Sequence, residues 1–200
     1  MRPASITIRL LADGVEVDSK VVTEADGWTW TFTGKPKYRD GGIEIVYTIT
    51  EDPVPGYSTV ITGFDVTNTL IVEDQTAIKI WDPADLVNKF DVEFQLWRYT
   101  TDPDSAETVG VSVTLTAPDW TYTWENMPQQ DVDGNLYTYY VTELTSLPAG
   151  FSKVEDGMTV TNSYVSPAED LTATKTWMPD GLLDSMKFDV EFQLYRYTTD

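Results

Sequence analysis

The chain has 200 residues, 41% of them hydrophobic, with seven Trp, eleven Tyr and seven Phe, which is ample core for one large domain or two smaller ones. Its net charge of −20, from 33 acidic and 13 basic residues, argues against nucleic acid or an anionic membrane surface as a partner held by charge. Cysteine and histidine are both absent, which removes disulfides, thiolate metal sites, the commonest general base and every Ser-His or Cys-His nucleophile.

Taken in order, the chain is strand after strand, and much of it occurs more than once. Ile6, Ile8 and Leu10 alternate as Val92, Phe94 and Leu96 do later. Gly27-Trp28-Thr29-Trp30-Thr31-Phe32 and Asp119-Trp120-Thr121-Tyr122-Thr123-Trp124 match, with aromatics on one face and threonines on the other, so both are expected to be half-buried strands. Arg39-Asp40-Gly41-Gly42 and Asp131-Val132-Asp133-Gly134-Asn135 read as hairpin turns. The second resembles the opening of a calcium loop, but the spacing to a closing Glu is wrong, so a plain turn without metal is expected.

Three further runs carry a polar residue on an otherwise apolar strand face. Thr76-Ala77-Ile78-Lys79-Ile80-Trp81 returns as Thr172-Ala173-Thr174-Lys175-Thr176-Trp177. The two copies keep Ala, Lys and Trp on one face and exchange Ile for Thr on the other, so the face with the lysine is the inward one. Tyr47, Ile49 and Glu51 share a face, as do Tyr139, Val141 and Glu143. Phe64, Val66 and Asn68 correspond to Met158, Val160 and Asn162. Finally, FDVEFQLWRYTTD from Phe90 returns as FDVEFQLYRYTTD from Phe188, which sets a repeat of just under a hundred residues. Acidic residues near Leu70–Gln75 and acidic residues with Pro167 in 165–170 interrupt the strand pattern and predict linkers there. The division expected is 1–70, a repeat without its lysine strand; 71–165, a complete repeat; and 166–200, the opening strands of another. The chain ends in mid-strand at Tyr197–Asp200, as a fragment of a longer protein would. No run is long enough to span a bilayer and the N-terminus has no signal-peptide core.

If Lys79, Glu143 and Asn162 lie on neighbouring strands, they meet inside a sandwich. A lone Lys or Glu at a strand end usually just reaches water, but three in register across repeats point to a constellation. Burial disfavours the charged amine and the charged carboxylate alike, so Lys79 can be neutral and Glu143 protonated. A neutral amine is a nucleophile, and a neighbouring carboxyl can shuttle its proton. Attack on the Asn162 carbonyl would expel ammonia and leave a Lys79–Asn162 isopeptide, once per molecule and with no external substrate or cofactor.

The runs Ser5-Ile6-Thr7-Ile8-Arg9-Leu10-Leu11-Ala12-Asp13-Gly14, Gly27–Phe32 and Ile45-Val46-Tyr47-Thr48-Ile49-Thr50-Glu51-Asp52-Pro53-Val54-Pro55-Gly56-Tyr57, with the closing Val66-Thr67-Asn68-Thr69, resemble the collagen-adhesin B-type (Cna B-type) domain. The resemblance is strongest over residues 2–70 and weaker over 71–164, where Asn162-Ser163 and Leu147-Pro148-Ala149-Gly150 depart from the pattern. It implies an all-β fold of tandem transthyretin-like, reversed immunoglobulin β-sandwiches on the surface of Gram-positive bacteria, serving as stalk repeats rather than as an enzyme. Partners would then be neighbouring repeats of the same protein. The family's cross-linking Lys, acidic residue and Asn map onto Lys79, Glu143 and Asn162. Glu51 and Asn68 are the equivalents in the first repeat, which has no lysine strand, since Lys20, Lys35 and Lys37 read as turn-rich. Lys175 is the unpaired equivalent at the other end, so one intramolecular isopeptide is expected per chain, with docking of Lys175 into the first repeat of another molecule as a further hypothesis. The alternative function is a host-matrix or glycan-binding module using Tyr57, Trp97 and Tyr99; an accessory sandwich of a secreted enzyme is a third reading, without catalytic groups to support it.

Overall fold

Alternating apolar residues become strands here wherever another segment is available to pair with them. The computed structural model describes residues 2–166, 168, 171–178 and 183–196, and these fall into two units, 1–165 and 166–200. In the larger unit β1 (Ser5–Ala12) turns through Asp13 and Gly14, both in the left-handed region with φ of 51° and 86°, into β2 (Val15–Thr23). After the short pair β3 (Tyr38–Arg39) and β4 (Ile43–Glu44), closed at the expected Arg39–Gly42 turn, β5 (Tyr47–Glu51) returns to the free edge of β1, giving the order β2-β1-β5. β6 (Tyr57–Thr62) and β7 (Asp65–Leu70) form a separate hairpin. Ile8, Leu10, Val22 and Ile49 are the buried centre of this half, with Trp28, Trp30, Phe32 and Val66 packed against them.

The second half is more complete. Its strands are β8 (Val72–Asp82), β9 (Val92–Tyr99), β10 (Glu107–Leu115), β11 (Thr121–Pro128), β12 (Thr138–Glu143), β13 (Phe151–Asp156) and β14 (Thr159–Tyr164). They make two sheets, β10-β9-β12 and β11-β8-β14-β13, and all pairs are antiparallel except β14 with β8. Between them lie Ala77, Trp81, Val92, Phe94, Leu96, Leu115, Trp124, Val141 and Val160. Each large side chain among them contributes about 1.5–3 kcal/mol by leaving water. The facing inferred for the lysine strand holds: Ala77, Lys79 and Trp81 are buried, while Ile78 and Ile80 are 44% and 43% exposed.

Four expectations need correction. Gly27–Phe32 is not a strand, although its aromatics still face the core and its threonines face water. The matching segment in the second half is β11, which pairs with the lysine strand β8; among the described residues of the first half no such partner exists, so alternation yields burial without a ladder. The expected linker at Leu70–Gln75 is instead continuous backbone pairing, because β8 begins at Val72 and its first residues pair with Pro128, Met127 and Trp124 of β11. Lys20 lies on β2 and not in a turn, opposite Ile8 and on the face of Val22, although its own side chain is exposed. Residues 171–177 and 187–196 form no strand, since the counterparts of β10, β11, β12 and β14 that would pair with them have no equivalent within 166–200. That unit contains a 3-10 turn at Asp184–Met186 and an edge-to-face contact of Trp177 with Phe188, centroids 4.7 Å apart. Pro167 and Tyr197–Asp200 lie outside the described residues.

The two halves of the larger unit are tied at their boundary by backbone bonds. Ile71 N donates to Gly56 O (2.8 Å), Gln129 N to Ile71 O (3.2 Å), and Gly56 N to the Gln130 side chain (2.9 Å).

Candidate functional site

β8 and β14 run side by side and parallel, with Lys79 opposite Val160 and Trp81 opposite Asn162. The inward face of β8 therefore presents its lysine next to the inward asparagine of β14. β12, the edge of the facing sheet, brings Glu143 across the core from the end of its apolar face. Lys79 Nζ donates to Glu143 Oε2 at 2.8 Å, and Asn162 Nδ2 donates to Glu143 Oε1 at 2.9 Å. One carboxylate thus bridges the two residues named from the sequence. Lys79 and Glu143 side chains have no exposed surface, and Asn162 is fully buried.

The electrostatics follow from this burial. Loss of water pushes the Lys79 amine below its ordinary value of 10.5; the Glu143 hydrogen bond and charge oppose the shift, nearby Lys153 adds to it and Glu155 opposes it. The ammonium also lies over the Trp81 ring, 4.8 Å from its centroid. Asn162 Oδ1 is buried and has no hydrogen-bond partner. A buried carbonyl without a donor is rare and costs about 1–3 kcal/mol, and the Trp81 indole N–H beside the site is buried without a partner as well.

Two residues around the site were not anticipated. Lys153 of β13 donates to the Glu143 carbonyl (2.6 Å), while Glu155 accepts from the Glu143 N–H (2.8 Å). Together they clamp the Glu143 backbone from the neighbouring strand. The available signal was their i, i+2 spacing on β13, two charges on one strand face facing a site already known to hold charge.

In the first half Glu51, Asn68 and Thr59 meet. Asn68 Nδ2 donates to Glu51 Oε1 at 2.8 Å, and the Thr59 hydroxyl lies 2.9 Å from Glu51 Oε2 and 2.7 Å from Asn68 Oδ1. Glu51 and Asn68 are only half-buried. No lysine reaches them among the described residues: Lys35 pairs with Asp18 at 2.6 Å, Lys37 sits 3.9 Å from Glu44, and Lys20 lies over the Phe32 ring. Lys175 lies in the second unit, with Nζ 4.5 Å from the Trp177 centroid, the same pairing that Lys79 makes with Trp81. The aromatics considered for ligand binding are half-buried, and not exposed as expected. Trp97 stacks on Tyr140 with planes 14° apart and donates to the Thr142 hydroxyl, and Tyr99 meets Tyr140 edge-on. Asp131 spends its carboxylate on Asp133 N, Asn135 N and the Asn135 amide. Among the described residues no cluster of acidic side chains could hold a metal ion.

Two packed sheets enclosing a buried Lys-Glu-Asn chain define an all-β sandwich repeat. The Cna protein B-type domain family matches residues 1–69 and 76–163, and the chain belongs to that family. It is 30% identical over 185 residues to the collagen adhesin of Staphylococcus aureus, covering 88% of this chain and 15% of that protein. It is also similar to the crystal structure of two B repeat units of the S. aureus collagen binding protein (30% identity, 82% of this chain, 44% of that one, TM-score 0.39). A structure of a single B repeat unit of that protein matches at 29% identity, over 82% of this chain and 89% of that one, with a TM-score of 0.38. No helix among the described residues is long and apolar enough to cross a membrane.

Proposed function

We propose that the chain is a run of stalk repeats from a bacterial cell-surface adhesin, divided at 1–70, 71–165 and 166–200, and that the middle repeat stiffens itself with an isopeptide bond between Lys79 and Asn162. The supporting observation is the hydrogen-bonded chain Lys79–Glu143–Asn162, dry and shared by one carboxylate. Transfer of the lysine proton to Glu143 leaves a neutral amine and a carboxyl. With that proton carried on Glu143 Oε1, a half-turn of the Asn162 amide that exchanges Nδ2 for Oδ1 there gives the orphaned carbonyl a donor and polarises it. Lys79 Nζ then adds to Asn162 Cγ, Glu143 carries the amine proton to Nδ2, the Cγ–Nδ2 bond breaks and ammonia departs. Lys79 and Glu143 need no external reagent for any of these steps.

Membership of the family and the adhesin relative support the surface role, with export and anchoring supplied by parts of the protein outside this stretch. A glycan- or matrix-binding role fits less well, because Trp97, Tyr99 and Tyr140 are packed on one another. The test is the intact mass under denaturing conditions. The expected result is loss of one ammonia with a cross-linked peptide joining Lys79 to Asn162, and retention of that ammonia in Glu143→Ala. A parent chain of full mass, with Lys79 and Asn162 recovered in separate peptides, overturns the proposal.

A further inference from the structure

β12 and β13 are edge strands of the two facing sheets, and a backbone bond from Val141 N to Gly157 O, 2.9 Å long, ties β12 to the turn after β13. Glu143 is the last residue of β12. Its neighbour Leu144 donates to Glu93 O on the β9 side, so the Glu143 N–H and carbonyl point the other way, off the sheet edge. Left open, such a strand end frays. Lys153 and Glu155 close it. They lie opposite Asn162 and Val160 of β14, and cross-strand partners share a face, so both continue the inward face that Phe151 begins. Lys153 Nζ donates to the Glu143 carbonyl at 2.6 Å, Glu155 accepts from the Glu143 N–H at 2.8 Å, and the two side chains pair with each other at 2.8 Å. A solvated pair of opposite charges contributes little. These side chains are only 26% and 30% exposed, and they complete a ring of bonds around one backbone residue.

We propose that Lys153 and Glu155 are positioning residues for the Lys79–Asn162 bond: by fixing the Glu143 backbone they keep its carboxylate spanning the amine on one side and the amide on the other. The proposal rests on the isopeptide reading of the middle repeat. The step they serve is the one already balanced there: Nζ–Cγ forms, Cγ–Nδ2 breaks, Glu143 relays the proton and one ammonia leaves. Both residues act through Glu143, whose two oxygens are bonded at 2.8 and 2.9 Å to the groups that react. A carboxylate held so closely has little room to lose before the geometry fails. The pair also acts by charge. The groups that face the Lys79 amine are Glu143 from β12 and Lys153 and Glu155 from β13, and Lys153 favours loss of its proton while Glu155 opposes it. Neutral Lys79 with protonated Glu143 holds the same protons as the ion pair, so pH enters only where the pair as a whole gains or loses one. Removing the Lys153 charge therefore moves the alkaline loss to higher pH, and removing the Glu155 charge moves it to lower pH.

The test follows the reaction in time. The full-length chain is made by cell-free translation, released into buffers across the neutral and alkaline range, quenched in denaturant at intervals and weighed intact. Lys153→Met removes both the donor and the charge. It should lose ammonia about tenfold to a hundredfold more slowly than the parent, with the alkaline fall in rate displaced to higher pH. Lys153→Arg, which keeps donor and charge, should restore both readouts. Glu155→Gln keeps an acceptor for the Glu143 N–H and drops the charge, so its alkaline fall should move to lower pH. Loosened packing would not displace the two profiles in opposite directions. If Lys153→Met fails to fold, the direction of the Glu155→Gln displacement decides alone. A parental rate in Lys153→Met, or slowing without opposite displacements, overturns the inference and leaves the Lys79–Asn162 bond standing. A parent that never loses ammonia removes the isopeptide reading itself, and this inference with it.

Discussion

Replacing Lys79 by Met asks how much the proposed bond contributes. The link would join positions 83 residues apart, on the first and last strands of the repeat. The chain-entropy relation for a closed loop of that length gives about 4.5 kcal/mol at 25 °C, acting on the unfolded chain. Methionine fills the lysine's volume but leaves Glu143 buried without its partner, and breaking a buried pair in this way costs about 3–5 kcal/mol on top of the lost constraint. The constraint alone sets the lower bound. Over a cooperative unit of one to two hundred residues this corresponds to a fall in the thermal midpoint of about 10–20 °C. The denaturant slope should also steepen, because the unlinked chain exposes more surface on unfolding. Calorimetry and urea titration of the parent and Lys79→Met, with masses recorded for both, read the two effects. A variant whose midpoint stays within the few degrees typical of a surface substitution, with an unchanged slope, would refute the reasoning even if the parent had lost ammonia.

The remaining predictions concern charge and the junction. In Asn162→Ala, where Lys79 stays unreacted, its lowered pKa means that the unfolded chain binds more protons just below the ordinary lysine value of 10.5. Stability should therefore increase as pH rises toward that value and decline as pH falls through the depressed one; the rise should vanish in Lys79→Met/Asn162→Ala, compared by thermal melts across the alkaline range. At the boundary of the two halves, Gly134 has φ of +86° and a Cβ placed on it would lie 3.3 Å from Pro55 Cβ. Gly134→Ala should destabilise by about 1 kcal/mol or more, seen as a lower urea midpoint.

Much of the site could be read from the sequence because strand faces alternate strictly. Once Ala77, Lys79 and Trp81 were assigned inward, the same parity rule put Glu143 and Asn162 inward, and the structure brings all three together. Parity does not give partners, however. Trp28–Phe32 has the same alternation as β11 yet forms no strand, because a ladder requires a second edge and alternation concerns only burial. The linker expected at Leu70–Gln75 was misread for a related reason: the acidic residues 73 and 74 lie on a strand that continues through them, held by pairing with Met127 and Pro128 far along the chain. Lys153 and Glu155 were missed because their contacts run to the Glu143 carbonyl and N–H, and backbone groups are the same at every position, which leaves only the i, i+2 spacing of two charges as a signal.

Topology explains why this pair of strands is the useful one to join. The chain enters the middle repeat at Val72 on β8 and leaves at Tyr164 on β14, and these two strands are parallel neighbours. Tension applied at those ends shears one strand against the other. In the unlinked protein the load rests on a parallel ladder, and once that yields the whole loop between the strands can be drawn out. With the proposed bond in place, force passes from Lys79 to Asn162 through covalent atoms, and β9 to β13 lie outside the loaded path. The pairing of β8 with β11 starts at Val72, directly after the Ile71 bonds to Gly56 and Gln129, so no slack linker precedes the load-bearing strand. The geometry thus favours stiffness under extension over a mobile binding module, and does so with one lysine in a chain that has no cysteine.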